Sequence, residues 1–171
     1  MLQAQELRKG KMALTVEIGA AIIDRGSQFL QTLLDYVVIE QSSPATVAGT
    51  IYKAGVYMSS VGNPPSVLRF GTFYKTNGNS FTYRDYSDLV SASVGYNEYD
   101  VNLDVQIGDY IGIWLNNNNG LELDTSGGIG YWYVESSVIT IVAQACIYTA
   151  NYIVSIGGEI GVAFIPQVII I

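Results

Sequence analysis

The chain has 171 residues, of which 49% are apolar and only 13% are charged, and its net charge is −7 at pH 7. This length fits one domain with a sizeable core, and the acidic balance excludes nucleic acid as the main partner, because phosphate binding needs many cations. The absence of histidine and the single cysteine exclude Ser-His-Asp and Cys-His catalysis, histidine-based zinc sites and any disulfide within the chain.

Residues 1–11 predict a short N-terminal arm. Leu2–Lys9 (LQAQELRK) is the one stretch with a helix-like composition. The arm also carries the only basic cluster of the chain, formed by Arg8, Lys9 and Lys11, which we expect to be a solvated tail, with contact to packaged nucleic acid as the alternative. No long apolar region follows these charges, so we expect no secretory signal peptide.

Residues 12–171 predict a single all-β domain, because short runs rich in Val, Ile and Tyr alternate with Gly, Pro and Asn turns. We expect roughly nine to eleven strands arranged as a jelly-roll-like β-sandwich. The first predicted strands are Ala13–Asp24, Thr32–Glu40 and Thr50–Met58. Asn77-Gly78 then predicts a hairpin. The strand predicted over Glu98–Ile107 directs four apolar side chains to one face: Val101, Leu103, Val105 and Ile107.

The stretch GDYIGIWLNNNNG (Gly108–Gly120) predicts a strand over Tyr110–Leu115. A hairpin turn at Asn119-Gly120 is then expected to lead into Leu121–Asp124. A turn accounts for the final Asn-Gly but not for the three asparagines before it. Their exposed amides, expected beside GYWY (Gly130–Tyr133), make this loop a candidate ligand site.

The last third of the chain holds little charge, because Glu159 is the only charged residue from Val138 to Ile171. Polar and β-branched residues interrupt Val138–Ile156, so we expect two buried strands there and no membrane span. An exposed strand as apolar as VAFIPQVIII (Val162–Ile171) is an aggregation template. We therefore expect it to lie centrally in a sheet or to be covered by a neighbouring subunit. The predicted assembly interface comprises Leu2, Leu7, Val162, Phe164, Ile165, Val168, Ile169, Ile170 and Ile171.

Two acidic pairs, Glu122 with Asp124 and Asp85 with Asp88, are candidates for a carboxylate hydrolase site. Solvated strand faces often carry such pairs, so we predict no enzyme activity and no catalytic residue. No cofactor is expected. The oxygen donors of Asn116–Asn119, together with Glu122 and Asp124, leave calcium as an alternative.

Aromatic rings beside amides suit sugars, because a ring offers an apolar face and the polar groups fix orientation. The sequence therefore predicts a candidate glycan site. Its residues are Asn116, Asn117, Asn118, Tyr131, Trp132 and Tyr133.

Four segments between Pro44 and Tyr133, read in order, carry a resemblance: PATVAGTI, FGTFYKTNGNSFTYRD, VQIGDYIGIWL and LELDTSGGIGYWY. They resemble uncharacterised β-sandwich domains encoded by phages and by environmental prokaryotic genomes. The resemblance covers roughly half the chain. It implies a jelly-roll-like sandwich in virion or surface-exposed proteins and supplies no catalytic residues.

From these observations we expect a non-enzymatic structural subunit of a virus or phage particle, as a capsid, decoration or tail component. It would assemble through the arm and the apolar C-terminal strand (162–171), with copies of itself and other particle proteins as partners. The expected location is a virion or an extracellular assembly. The alternatives are a carbohydrate-binding β-sandwich that recognises a surface glycan, and an extracellular filament subunit joined by strand exchange.

Overall fold

The computed structural model describes residues 14–30, 35–62, 67–116 and 120–162. Within these ranges the chain is all-β, and fifteen strands form two curled antiparallel sheets packed as a sandwich. The strands are β1 (Leu14–Gly19), β2 (Ser27–Leu30), β3 (Tyr36–Glu40), β4 (Gly49–Ser60), β5 (Val67–Asn77), β6 (Ser80–Tyr86), β7 (Val90–Ser91), β8 (Gly95–Val105), β9 (Tyr110–Leu115), β10 (Gly120–Asp124), β11 (Tyr131–Glu135), β12 (Gln144–Ala145), β13 (Ile147–Thr149), β14 (Ile153–Val154) and β15 (Ile156–Val162).

The predicted fold class, a β-sandwich, is confirmed. Four of the described strands, β7, β12, β13 and β14, are only two or three residues long. The remaining eleven agree with the expected number of roughly nine to eleven. The short strands β12, β13 and β14 form where the chain changes its pairing partner, which periodicity alone does not reveal.

Sheet A contains β1, β15, β4, β10 and β14 in that order, with β8 also paired to β4 and β2 to β10. The long strand β4 organises this sheet. Its residues from Gly49 to Met58 pair with β8 on one side, while β15 and β10 share the other side. Sheet A therefore ends in β8 at one side and in β1, β2 and β14 at the other.

Sheet B runs in the order β12, β6, β5, β9, β3, β11 and β13, and β7 adds to β5. Its two outermost strands are almost continuous in sequence, because only Cys146 separates β12 from β13. Residues 144–145 pair with β6, and residues 147–149 pair with β11. This stretch, residues 144–149, joins the two sides of the sheet, so sheet B closes on itself.

The closure gives the fold two apolar cores. The sandwich core lies between the sheets and is built from residues such as Ile51, Leu103 and Ile113. The enclosed core lies inside curled sheet B. Its members are Val37, Ile39, Phe73, Phe81, Trp114, Trp132, Val134, Ile139, Ile141 and Cys146.

Strand β3 shows how the sequence serves both cores. Val38 belongs to the sandwich core, whereas Val37 and Ile39 point into the enclosed core, and all three are fully buried. Alternate residues of a strand point to opposite faces. An uninterrupted apolar run such as YVVIE is therefore typical of a strand buried on both sides.

Two glycines give the enclosed core its small cross-section. Gly71 and Gly112 are directly opposite each other on β5 and β9. A Cβ at Gly112 would lie 2.5 Å from the carbonyl oxygen of Val38 and 2.9 Å from the Phe73 ring. Because the first of these neighbours is backbone, a larger residue would force the strands apart.

The segment Val138–Ile156 differs from the two buried strands that were predicted. Ile139 and Ile141 are buried in the enclosed core, but Val142 is 70% exposed and Ile147 is 58% exposed. The segment closes sheet B from outside, so only part of its side chains can point inward. In the described residues, no helix has the length and apolarity needed to cross a membrane.

The two predicted hairpins have different outcomes. Asn77 pairs with Ser80, and Gly78 has a φ of +51°, so the hairpin between β5 and β6 is confirmed. The hairpin predicted at Asn119-Gly120 is wrong. Strand β9 belongs to sheet B and β10 to sheet A, so the connection between them passes from one sheet to the other.

Candidate functional site

The two terminal segments adjoin one corner of sheet A. Strand β1 begins at Leu14 and β15 ends at Val162, and these two residues are paired in antiparallel register. Residues 1–13 and 163–171 therefore meet the described fold at the same end of neighbouring strands. Val162, the last described residue, is half-buried. The other predicted assembly residues, Leu2, Leu7, Phe164, Ile165, Val168, Ile169, Ile170 and Ile171, lie outside the described residues.

Strand β1 is an edge strand in the described part of the chain. Ala20, just after it, donates its N–H to Ile156 O at 2.8 Å, whereas Gly19 donates to Ser43 O at 2.8 Å. Alternate residues of an antiparallel strand bond to opposite sides, so Thr15 and Glu17 direct their backbone groups away from β15. The free edge is therefore short, because Ser43 already occupies one of its three positions.

A groove of about 310 Å³ crosses the outer face of sheet A beside this edge. It is lined by parts of β1, β4 and β15, by Ala20–Ile22, and by Tyr96 and Glu98 of β8. Ile22 packs so closely over Gly55 that a Cβ there would lie 2.5 Å from its Cδ1. The glycine lets the Ala20–Ile22 segment lie against the sheet and form one side of the groove.

The register places four charged residues in one row across sheet A, and all of them except Asp100 line the groove. Glu17 is opposite Glu159, Glu159 is opposite Lys53, and Lys53 is opposite Asp100. The hydrogen-bond pattern makes Glu17 and Glu159 a non-hydrogen-bonded pair, which brings side chains closest in an antiparallel sheet. Like charges in such a pair repel. In the described residues neither carboxylate has a cation within 4.0 Å.

The opposite side of the groove holds a compensated charge. Lys53 Nζ lies 2.8 Å from Glu98 Oε1 and 3.4 Å from Asp100 Oδ1. The pKa of Glu98 is lowered by hydrogen bonds from Lys53 and then from the Tyr96 hydroxyl. The bond with Glu98 in turn raises the pKa of Lys53 and that of Tyr96. Because Lys53 is already paired, the groove as a whole stays acidic.

The aromatic residues predicted to bind glycan lie largely inside the fold. Trp132 is 2% exposed, its ring lies 4.7 Å from that of Phe81, and its Nε1 donates to Asn79 Oδ1 at 3.1 Å. Tyr131 is 4% exposed and belongs to the sandwich core. The exposed aromatic platform expected at these two positions does not form, because β11 is buried on both faces.

The remaining members of that predicted site are dispersed. Tyr133 is half-buried, and its ring lies 6.0 Å from that of Tyr36. Asn116 Oδ1 accepts the N–H of Val67 at 3.1 Å and so helps to join the ends of β9 and β5. Asn117 and Asn118 lie outside the described residues. Of the three predicted rings, only Tyr133 has appreciable exposure.

Arg25 contacts Glu122 and Asp124, the acidic pair that the sequence analysis named as candidate calcium ligands. Its backbone N–H donates to Glu122 Oε2 at 3.2 Å, and its guanidinium lies 3.0 Å from Asp124 Oδ2. The side chain of Arg25 is only 5% exposed. No group of three or more His, Cys, Asp or Glu residues within the described ranges is arranged to hold a metal ion. The calcium alternative stays a prediction.

The second acidic pair is divided between two environments. Asp85 Oδ2 accepts the N–H of Asp104 at 2.8 Å, which ties β6 to the edge strand β8. Asp88 is exposed. The two carboxylates therefore do not share a buried site.

Glu40 is a buried carboxylate that the sequence did not single out. It is 1% exposed and accepts the N–H of Val154 at 2.9 Å and that of Ser42 at 2.6 Å. Burial raises its pKa above the ordinary value, against the weaker opposing effects of these bonds and of Arg25. A perturbed pKa is one mark of a functional site, but both oxygens here bind backbone N–H groups and tie β3 to β14.

Glu40→Gln is expected to change the pH dependence of stability. Because the pKa of Glu40 is raised in the folded state, its stabilising contribution is full below the unfolded pKa and is lost as pH rises through the folded one. Wild type should therefore lose stability relative to the variant between acid and neutral pH. Urea unfolding across this range measures the difference, with Glu135→Gln as the exposed control. A pH-independent difference would contradict the assignment.

Asp109 is a further buried carboxylate, within the GDY step. It is 1% exposed, and both its oxygens are bound by the Arg84 guanidinium, with Nη2 to Oδ1 at 3.0 Å. Its Oδ2 also accepts the N–H of Gln106 at 2.8 Å. The sequence predicted only a turn here. Nothing in the local pattern identifies Arg84 as the partner, because the pairing depends on how β6 and β9 are placed.

The comparisons with known proteins identify no relative. No protein-family model, no curated protein and no solved structure matches this chain. The resemblance to phage and environmental sandwich domains therefore stays a prediction.

Proposed function

We propose that this protein is a non-enzymatic structural subunit that assembles with copies of itself through its terminal segments. The observation that carries the proposal is the pairing of Leu14 with Val162. It places side by side the points where two segments join the described fold, and these are the segments that the sequence marks for assembly, the arm and the apolar C-terminal stretch. In this proposal the arm and the C-terminal stretch both extend from one corner of sheet A to contact neighbouring copies.

Two further features support assembly at this corner. Strand β1 has a free edge in the described chain, and edge strands are the usual acceptors of an added strand. The segment from Phe164 to Ile171 carries no charged side chain, so its exposure to water would be unfavourable. A virus or phage particle, with the subunit in the capsid, decoration or tail, is the setting that the sequence resemblance favours.

Deletion of Phe164–Ile171 is expected to give a folded monomer at concentrations where the wild-type chain assembles. The deletion removes the apolar segment that is proposed to contact neighbouring copies. The chain should still fold, because neither core includes a residue of this segment among its described members. Sedimentation velocity measures the assembly state, and circular dichroism measures the fold.

The matched control for this deletion is the double variant Val142→Ser and Ile147→Ser. It removes exposed apolar side chains from another part of the surface and should assemble like wild type. Assembly by the truncated chain would refute the proposal. Unfolding on truncation would instead make the segment part of the core.

The two alternatives differ in what supports them. The carbohydrate-binding hypothesis is weakened because the rings of Tyr131 and Trp132 are buried. A glycan array with the isolated protein tests whether the chain binds a glycan at all. A filament joined by strand exchange uses the same edge of β1 and predicts the same truncation result. Electron microscopy separates the two assemblies, because a filament gives helical repeats and a closed shell gives point symmetry.

A further inference from the structure

The outer face of sheet A is not covered by any other described element at the groove between β1 and β8. Its polar lining is dominated by carboxylates: Glu17 and Glu159 on one side and Glu98 on the other. Among the described residues, Lys53 is the only cation in the lining, and it is already paired. An occupant of this groove would therefore need to be cationic.

The groove also suits long cationic side chains in shape. The Ala20–Ile22 segment already lies over Gly55 and Gly157 and forms one wall of the groove, and the rest of the lining includes the charged side chains. Tyr96 is 54% exposed at its border. Lysine and arginine can lay their apolar stems on such a surface while their charges reach the carboxylates, and the tyrosine ring adds a cation–π contact.

We propose that the basic cluster Arg8, Lys9 and Lys11 of a second copy docks in this groove. The cluster is the only one of its kind in the chain, and its charge complements the carboxylates of Glu17 and Glu159, which have no cation partner among the described residues. This inference rests on the proposed self-assembly and names the surface that receives the arm.

The proposed self-assembly favours an arm that arrives from a second copy. Docking in the arm's own chain is the competing arrangement, because Met12 and Ala13 suffice for a two-residue turn before Leu14. The mixture described below separates the two, because only docking between copies lets one variant supply what the other lacks.

A charge exchange between two full-length variants tests the inference. The arm variant carries Arg8→Glu, Lys9→Glu and Lys11→Glu, and the groove variant carries Glu17→Lys and Glu159→Lys. Each variant alone should assemble at least about tenfold more weakly than wild type, because the attraction between the basic cluster and the two carboxylates is replaced by repulsion. An equimolar mixture should regain assembly, because the reversed arm then meets the reversed groove and the native arm of the groove variant meets the native groove of the arm variant. Sedimentation velocity at low ionic strength measures both results.

Three controls accompany this exchange. The double variant Asp88→Lys and Glu135→Lys makes the same change in net charge at exposed positions outside the groove and should assemble like wild type. Glu17→Gln with Glu159→Gln keeps an acceptor for the hydroxyl of Tyr52, which bonds Glu159, and should weaken assembly less than the charge reversal does. About 1 M salt, where the Debye length is about 3 Å, should weaken wild-type assembly as well.

The outcomes separate this inference from the function on which it rests. A wild-type chain that remains monomeric at low ionic strength overturns both. Wild-type assembly with unaffected folded groove variants overturns the groove and leaves the terminal assembly standing. Folded single variants that fail to assemble, and that the mixture does not rescue, overturn the pairing of arm with groove.

Discussion

Replacement of Trp132 with alanine is expected to lower the free energy of unfolding by about 3–5 kcal/mol, the usual cost of removing a large aromatic side chain from a core. Trp132 is 2% exposed and contacts the rings of Phe81 and Tyr110. The change would also leave Asn79 Oδ1 without the indole N–H that it accepts. Equilibrium unfolding in guanidinium chloride measures this loss.

The matched control is Tyr96→Ala, since Tyr96 is an aromatic residue with 54% exposure. Its removal should change stability by no more than about 0.5 kcal/mol, as is usual for surface positions. A Trp132→Ala variant with near wild-type stability would show that the enclosed core does not depend on this ring. Such a result would return Trp132 to the list of candidate ligand-binding residues.

Asp109→Ala is expected to destabilise the fold by about 3 kcal/mol, because removing one partner of a buried ion pair leaves the other without compensation. The variant would leave the Arg84 guanidinium, 29% exposed, without its carboxylate. It would also leave the Gln106 N–H without its acceptor. Thermal and denaturant unfolding should both register the change.

Asp88→Ala provides the comparison for Asp109, because Asp88 is an exposed aspartate in the loop after β6. It should remain within about 0.5 kcal/mol of wild type. A second comparison replaces both partners, with Arg84→Met and Asp109→Leu, and should recover part of the loss, since apolar pairs often substitute for buried ion pairs. Equal stability of wild type and Asp109→Ala would contradict the structural role assigned to the pair.

Local patterns predicted the fold where strands obey a simple period. The alternation in β8 correctly places Leu103 and Val105 in the core. The same pattern fails two residues later, because Ile107 is 71% exposed. The turn that Asp109 stabilises begins at Gln106. Asp109 pairs with Arg84 of β6, and periodicity gives no sign that these two residues are neighbours.

The sequence did not predict the enclosed core, for a non-local reason. Trp132 and Tyr131 alternate as any strand residues do, and the pattern correctly implied opposite faces. Which face of β11 is exposed to solvent depends on whether sheet B curls. The curl depends on the pairing of residues 144–149 with β6 and β11. Nothing in the sequence GYWY predicts that pairing.

The candidate site was predicted in its parts but not in its arrangement. The basic cluster at Arg8–Lys11 and the apolar C-terminal stretch are readable from composition. The groove is not, because Glu17, Lys53, Glu98 and Glu159 come from four strands far apart in sequence. Only the register of sheet A brings them together.

The closure of sheet B also has a consequence for how the chain folds. Residues 144–149 can pair with both sides only after β6 and β11 have taken their places, and more than sixty positions separate Ser80 from Ala145. Contacts between such distant residues form slowly, because the loop entropy is lost before the contacts compensate for it. We therefore expect refolding to end with a slow phase in which the Trp132 indole loses contact with water, and stopped-flow tryptophan fluorescence should detect it as the last step.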